Sequence, residues 1–288
     1  MQIPVDGLER PELDLFRDLR DRDLRGNHDA YIVESPRVVR RFIRAVKHGS
    51  YAIYGALLTP EHADEMKEDL EQLPEEIPIH IAPLHVMHSI SGYRFHAGAL
   101  AIGRRPRRPP SVESLLESIP TTGPCTLLIA EGVSNMDNVG AIIRDAAALG
   151  AHGVILGEGC SDPLLRKAIR VSMGRVFSVP WVCCTRIREV LETLRNTHGI
   201  QSLALENLPT AQPISEISWP QRIAIVAGSE GHGIHHKTID ACDLIASIPT
   251  PMPLPEHDRA GGCDELSLNV SVAVAIALYA RNSAAAAS

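Results

Sequence analysis

The sequence predicts an α/β protein of two parts, a small α/β domain over residues 29–103 and a C-terminal parallel-sheet domain over residues 122–288. Three observations carry this reading. Short apolar β segments alternate with helix-like stretches along most of the 288 residues, enough chain for two cores. RRPRRPPSV, with its three prolines and repeated arginine, interrupts the alternation, so residues 104–121 read as a linker. Beyond it a strand–helix order restarts, and repeated βα units favour parallel strands with helices on both faces.

Residues 1–28 are dense in both charge signs, as in RDLRDRDLR, and read as a short helical or flexible lead-in. AYIVE, YAIYGALLTP, IPIHIAP and GALAIGRR then read as strands, with RVVRRFIRAV and EHADEMKEDLEQL as helices among them. After the linker come strand CTLLIAE, helix NVGAIIRDAAALG, strand GVILG, helix DPLLRKAIRVSM and strand VFSVPWV. In the second of these helices Asp162 is the expected cap and Pro163 the first helical residue. IQSLALE and RIAIVAG supply two further strands. The tail is ambiguous by pattern alone. Val270, Val272, Val274, Ile276 and Leu278 alternate as in a strand, whereas Ala273, Ala275 and Ala277 favour a helix. SAAAAS reads as a frayed end.

A net charge of −7 and a pI near 6.0 speak against an unspecific polyanion binder, whose domain pI usually exceeds about 9. A nucleic acid would be held by local patches, because phosphate contacts need only nearby cations. Candidates are Arg37, Arg40, Arg41, Arg44 and Lys47; Arg104, Arg105, Arg107 and Arg108; and Arg166, Lys167, Arg170 and Arg175, although such runs are also common on solvated helices. MQIPVDGLER lacks the cationic start and apolar core of a leader, and no stretch suits a bilayer, so a soluble cytoplasmic protein without membrane contact is expected. The six cysteines form no CxxC pair and read as reduced thiols. His232, His235, His236, Cys242, His257 and Cys263 fit no zinc spacing, so no metal is expected.

Three segments carry chemistry. In NVGAIIR, Asn138 is placed to cap the helix after CTLLIAE, and Arg144 lies one turn beyond Gly140 on the same face. A guanidinium beside a helix N-terminus makes a phosphate site, and glycine at 140 lets a substrate backbone come close. GSEGHGI follows strand IAIVA, where α/β sheets open ligand crevices. Gly228, Gly231 and Gly233 permit tight turning there, and Glu230 can orient polar groups. Ser267, Leu268 and Asn269 precede the apolar tail, with Ser267 as the expected N-cap. GEGCSD begins like GxGxxG but has Asp162 at the last glycine position, and GSEGHG lacks the GxSxG order of a nucleophile elbow.

EGVSNMDNVGAIIRDAAALG, IVAGSEGHGI and SLNVSVAVAIALYA, in this order over about the last 160 residues, resemble the three motifs of the SpoU-type (SPOUT) RNA methyltransferases. The resemblance implies a helical tail beginning near Ser267, threaded as a trefoil knot, and a homodimer. It implies transfer of a methyl group from S-adenosylmethionine to a ribose 2′-hydroxyl of ribosomal or transfer RNA. By the same resemblance Asn138, Arg144, Glu230, Ser267 and Asn269 are the catalytic set. Gly228, Gly231, Gly233, Ile248 and Leu268 hold the cofactor, which needs alignment for in-line displacement rather than a metal. The segment from AYIVE to GALAIGRR resembles the RNA-recognition domain that often precedes this unit; Arg37 and Arg41 in it, and Arg166 and Arg170 one turn apart in DPLLRKAIRVSM, are the expected RNA contacts. Relatives use the arginine matching Arg144 to activate the hydroxyl; because arginine stays protonated, a phosphate clamp that eases alkoxide formation is the expected role here. One departure stands out. TPMPLPEHDRAGGCDE separates Ile248 and Pro249 from Ser267, where relatives join these almost directly. That insertion favours the alternative reading, a non-catalytic RNA-binding or ribosome-associated protein that keeps the fold.

Overall fold

The computed structural model describes residues 2–5, 11–17, 29–91, 98–106, 109–249 and 268–287. They form two compact units, one of Met1–Pro109 with Asp162–Ser178 and one of Pro110–Ser161 with Val179–Ser288.

The first unit is built on a five-stranded sheet, in the order β1 (Gln2–Pro4), β4 (Ile79–Ile81), β3 (Ala52–Leu58), β5 (Ala99–Arg104) and β2 (Ala30–Glu34). β4 runs parallel to both β1 and β3, whereas β5 is antiparallel to β3 and β2. The lead-in is thus partly a strand. Gln2 pairs with Ile79, and Leu13 and Phe16 of the 3-10 turn Pro11–Phe16 are buried. A charge-dense composition concealed these few apolar anchors. Helix Pro36–Lys47 starts with proline at its first position and buries Val38, Val39, Phe42 and Ile43 along one stripe.

Asp162–Ser178 belongs to this unit and departs from its expected form. The helix is only Arg166–Val171, and Asp162 does not cap it. Its Oδ1 instead accepts from the Leu164 N–H at 2.8 Å in the preceding turn, and its carboxylate pairs with Arg105 at 2.8 Å. VFSVPWV is a strand only at β8 (Trp181–Cys183); Arg175–Phe177 is a 3-10 turn. Packing explains this. Phe177 sits 4.9 Å from the Phe42 ring and 5.1 Å from Tyr51, whose hydroxyl donates to the Val176 carbonyl at 2.8 Å.

The buried Glu34 carboxylate joins two arginines of this segment. Arg166 Nη2 lies 2.6 Å from Oε2, and Arg170 Nη1 donates to Oε1 at 2.9 Å. Glu34→Ala strands both cations beside apolar β2. Because Arg170 is half exposed, the expected loss is about 2 kcal/mol rather than the full cost of a broken buried pair, read as a lower denaturant midpoint at unchanged slope.

The second unit holds a seven-stranded, wholly parallel sheet, in the order β10 (Gln212–Pro213), β12 (Leu244–Ser247), β9 (Gln201–Leu205), β11 (Arg222–Gly228), β6 (Cys125–Glu131), β7 (Gly153–Leu156) and β8. Within the expected linker, Val112–Ser118 is a helix closed by a reciprocal Ser111–Ser114 capping box, and it buries Leu115 and Leu116 in this unit's core. The tail is helical from Val270 to Ala287, with Val270, Val274, Ala277 and Leu278 buried at helical spacing. Its alanines continue the helix where a frayed end was expected, as alanine's propensity favours. This helix packs on helix Met136–Ala148 and on β11. Arg281 anchors it through the Gln221 carbonyl at 3.0 Å.

No helix of the described residues is long and apolar enough to cross a membrane, and no three of their His, Cys, Asp or Glu side chains gather as a metal site. Burial pushes the Cys160 and Cys184 thiols up to about 11 and Cys242 to about 12. Their thiolate fraction at pH 8 is then about one in a thousand or less. Among the described cysteines only Cys183 is exposed. Iodoacetamide at pH 8, read by peptide mass mapping, is expected to label Cys183 well before the other four.

Candidate active site

The parallel sheet brings two motif loops to one edge. β11 pairs with β6 so that Gly228 stands opposite Glu131, and with β9 so that Ala227 stands opposite Leu205. The turn after Gly228, the loop before helix Met136–Ala148 and the residue after Leu205 therefore leave the sheet side by side, at the carboxyl ends where such sheets bind ligands.

Asn138 does not cap its helix. The cap is Asn135, whose Oδ1 accepts from the Asp137 N–H at 2.8 Å. In the run Asn-Met-Asp-Asn the earlier asparagine takes the backbone, and Asn138 is left in the first turn, buried, with its amide available. Its Nδ2 donates to Glu230 Oε1 at 3.1 Å, and its Oδ1 accepts from Asn269 Nδ2 at 2.9 Å. Asn269 Nδ2 also donates to Glu230 Oε1. Asn269 Oδ1 in turn accepts from the Ser271 backbone at 3.0 Å and from its hydroxyl at 2.8 Å. Asn269 thus caps the C-terminal helix, the role expected of Ser267, which lies outside the described residues, as does the insertion before it. Two donors fix the Asn269 oxygen toward Ser271, so its NH₂ must face Asn138 and Glu230. The three motifs meet in one hydrogen-bonded cluster.

Arg144 extends from the same helix as Asn138, exposed and without a hydrogen bond or ion pair among the described residues. Burial raises the neighbouring Asp145 carboxyl, with Arg144 offsetting part of that shift. Asp145 does not pair with the guanidinium, which stays available to an incoming anion.

The glycine-rich turn is closed by Gly233 N–H donating to the Ser229 carbonyl at 2.8 Å. A Cβ on Gly228 would lie 2.1 Å from the Gly233 carbonyl carbon, and Gly233 has φ +64°, so both positions require glycine. Gly231 has open space around it and makes no such demand.

Gly228 and Gly233 line a cavity of about 120 Å³ with Glu206, Ile248, Leu268 and Val270. Gly231 is not among its walls. Its lining suits the nucleoside end of S-adenosylmethionine: apolar side chains for a base, main-chain groups at the strand ends, and the carboxylates of Glu206 and Glu230 for hydroxyls. Its volume is below the about 300–1,000 Å³ of whole ligand clefts, so the described walls hold part of such a ligand. A larger groove of about 960 Å³ lies between helices Val112–Ser118 and Ile187–His198, with none of the motif residues in it. Size alone would have pointed away from the motif residues.

Of the cations expected to face RNA, Arg37 is exposed and makes no ion pair among the described residues. Arg41 donates to the Met173 carbonyl, while Arg166 and Arg170 share Glu34. Arg40 and Arg44 both pair with Asp69, at 3.3 and 2.8 Å. Arg104 lies over the Tyr54 ring at 4.5 Å, and Arg107 and Arg108 are outside the described residues. Sequence reasoning missed Asn135, Ser271 and Glu206. A second asparagine three residues before Asn138 was the available signal for the first.

A parallel α/β domain with a polar amide–carboxylate cluster beside a glycine-bounded cavity at its strand ends has the form of a nucleotide-binding domain. The sequence profile of the SpoU rRNA Methylase family matches residues 126–279, over half of the chain, and the chain belongs to that family. It is 34% identical over 281 residues to the uncharacterized tRNA/rRNA methyltransferase Mb0905 of Mycobacterium bovis, covering 94% of this chain and 88% of that one. It is 32% identical over 193 residues to the 23S rRNA (guanosine-2′-O-)-methyltransferase RlmB of a Burkholderia species, covering 67% of this chain and 72% of that one. The fold resembles the crystal structure of an AdoMet-bound rRNA methyltransferase from Sinorhizobium meliloti, with TM-score 0.75, 20% identity and 98% of each chain covered.

Proposed function

We propose that this protein transfers the methyl group of S-adenosylmethionine to a ribose 2′-hydroxyl in ribosomal or transfer RNA. The observation that carries the reading is the Asn138–Asn269–Glu230 cluster, drawn from three distant motifs and set beside the Gly228 cavity. Packing alone does not require these side chains together.

Gly228, Gly233, Ile248 and Leu268, which line the cavity, would hold the cofactor. When bound, it supplies a methyl group activated by the positive sulfonium. Arg144 clamps the phosphate next to the target ribose and lowers the cost of the forming alkoxide. It does not take the proton, because a guanidinium is no base in water; the proton leaves to water or to the phosphate. Asn138, Asn269 and Glu230, with Ser267, hold the ribose in line, since a fixed amide network keeps its geometry as charge develops.

In the first unit Arg37 and Arg41 are the leading RNA contacts. Arg166 and Arg170 set two positive charges against the single Glu34 carboxylate, which leaves a net positive face for phosphate. The name of the Burkholderia relative specifies 23S ribosomal RNA and the Mycobacterium name both tRNA and rRNA, which supports a structured RNA as target. Val272 and Tyr279 are exposed apolar residues seven positions apart on the C-terminal helix, and Leu268 is exposed just before it, which supports a homodimer beside the cofactor cavity. A knotted passage of this helix and residence in the cytoplasm complete the reading.

The test is incubation with methyl-labelled S-adenosylmethionine and total RNA from cells lacking the protein. Label in a ribosomal or transfer RNA fraction is expected. A folded protein that binds the cofactor but labels no RNA would return the non-catalytic alternative.

A further inference from the structure

We propose that Glu206 is a cofactor-binding carboxylate that accepts hydrogen bonds from the ribose hydroxyls of bound S-adenosylmethionine. This rests on the reading of the Gly228 cavity given above. Glu206 follows the last residue of β9, and its backbone N–H donates to the Ala246 carbonyl of β12 at 2.9 Å. Its position is therefore set by the sheet, level with the end of β11.

The two carboxylate oxygens do different work. Oε2 accepts from the Ile234 N–H at 2.8 Å, which ties the strand end to the far side of the glycine-rich turn. A Cβ on Gly233 would lie 2.4 Å from this oxygen, so the turn needs glycine there for the carboxylate as well as for its φ. Among the described residues Oε1 accepts only from the adjacent Asn207 N–H, at a long 3.3 Å. A carboxylate offers about four acceptor sites, so Oε1 keeps acceptor capacity within a cavity it shares with Gly228, Ile248 and Leu268. Glu206 makes no ion pair among the described residues, so no protein cation there competes for its remaining acceptor sites. A carboxylate at the carboxyl end of a parallel strand is a known solution for holding a nucleoside ribose. Glycine-rich turn and carboxylate are thus one clasp.

The test is calorimetric titration of wild type and Glu206→Gln with S-adenosylmethionine and S-adenosylhomocysteine. Glutamine keeps an oxygen for Ile234 but turns its other side into a donor. Both ligands are expected to weaken by about ten- to a hundredfold, the usual loss for one hydrogen bond to a charged group. Independently of the variant, wild type is expected to bind the 2′,3′-dideoxy form of S-adenosylhomocysteine less tightly by a similar factor. Weakening of S-adenosylmethionine alone would show that the carboxylate reads the sulfonium charge and overturn the ribose assignment. Unchanged affinities in the variant and for the dideoxy ligand would overturn the inference while wild-type binding upheld the cavity. A wild type that binds neither ligand would overturn the cavity reading itself.

Discussion

Arg144→Ala is expected to abolish methyl transfer while leaving S-adenosylmethionine affinity nearly unchanged. The side chain is exposed and makes no hydrogen bond or ion pair among the described residues, so its loss costs the fold little. On the proposed reading its contribution is made to substrate. Removing one positioned donor to a developing oxyanion typically costs about 100- to 1,000-fold in rate, and loss of the phosphate clamp adds to that. Arg144→Lys should restore little, because a point charge cannot replace the two-pronged fork on phosphate. The measurement is single-turnover transfer alongside calorimetric cofactor binding. A large loss of cofactor affinity in Arg144→Ala would remove the arginine from the RNA side of the site.

Asn269→Ala carries the second large effect. It removes the donor shared by Asn138 and Glu230 and also the cap of the C-terminal helix. The cap accounts for about 1 kcal/mol of stability, whereas loss of network geometry should lower kcat by about 100-fold or more. Asn269→Asp separates the two contributions. Aspartate caps a helix as well as asparagine does, yet it sets a second carboxylate against Glu230. Thermal stability near wild type with kcat as low as in the alanine variant is the expected pair of results. An active Asn269→Asp enzyme would reduce Asn269 to a structural cap.

Much of this site was legible in the sequence, for a specific reason. Asn138 and Glu230 lie in short segments that follow the ends of β6 and β11, so the parallel sheet delivers them to one edge, and Asn269 meets them from the start of the C-terminal helix. Backbone roles were harder to read. Asn135 and Asn138 are equally good caps by residue type, and only the hydrogen bond from buried Asn138 to Glu230 decides between them. The tail's alternating valines were compatible with a strand until packing on helix Met136–Ala148 and β11 settled it. Asp162–Ser178 misled because its hydrogen bonds and rings engage residues more than a hundred positions away, such as Glu34 and Phe42. Glu206 carried no local pattern at all. A single glutamate after a strand gains its meaning only from the turn that closes on it.

The most direct test of the central claim is the chemical position of the transferred methyl. RNA labelled by the wild-type protein is hydrolysed in alkali, which cleaves only where a free 2′-hydroxyl adjoins the phosphate. Label in an alkali-resistant dinucleotide is the expected result. Label released wholly in mononucleotides, as base methylation would give, would contradict it.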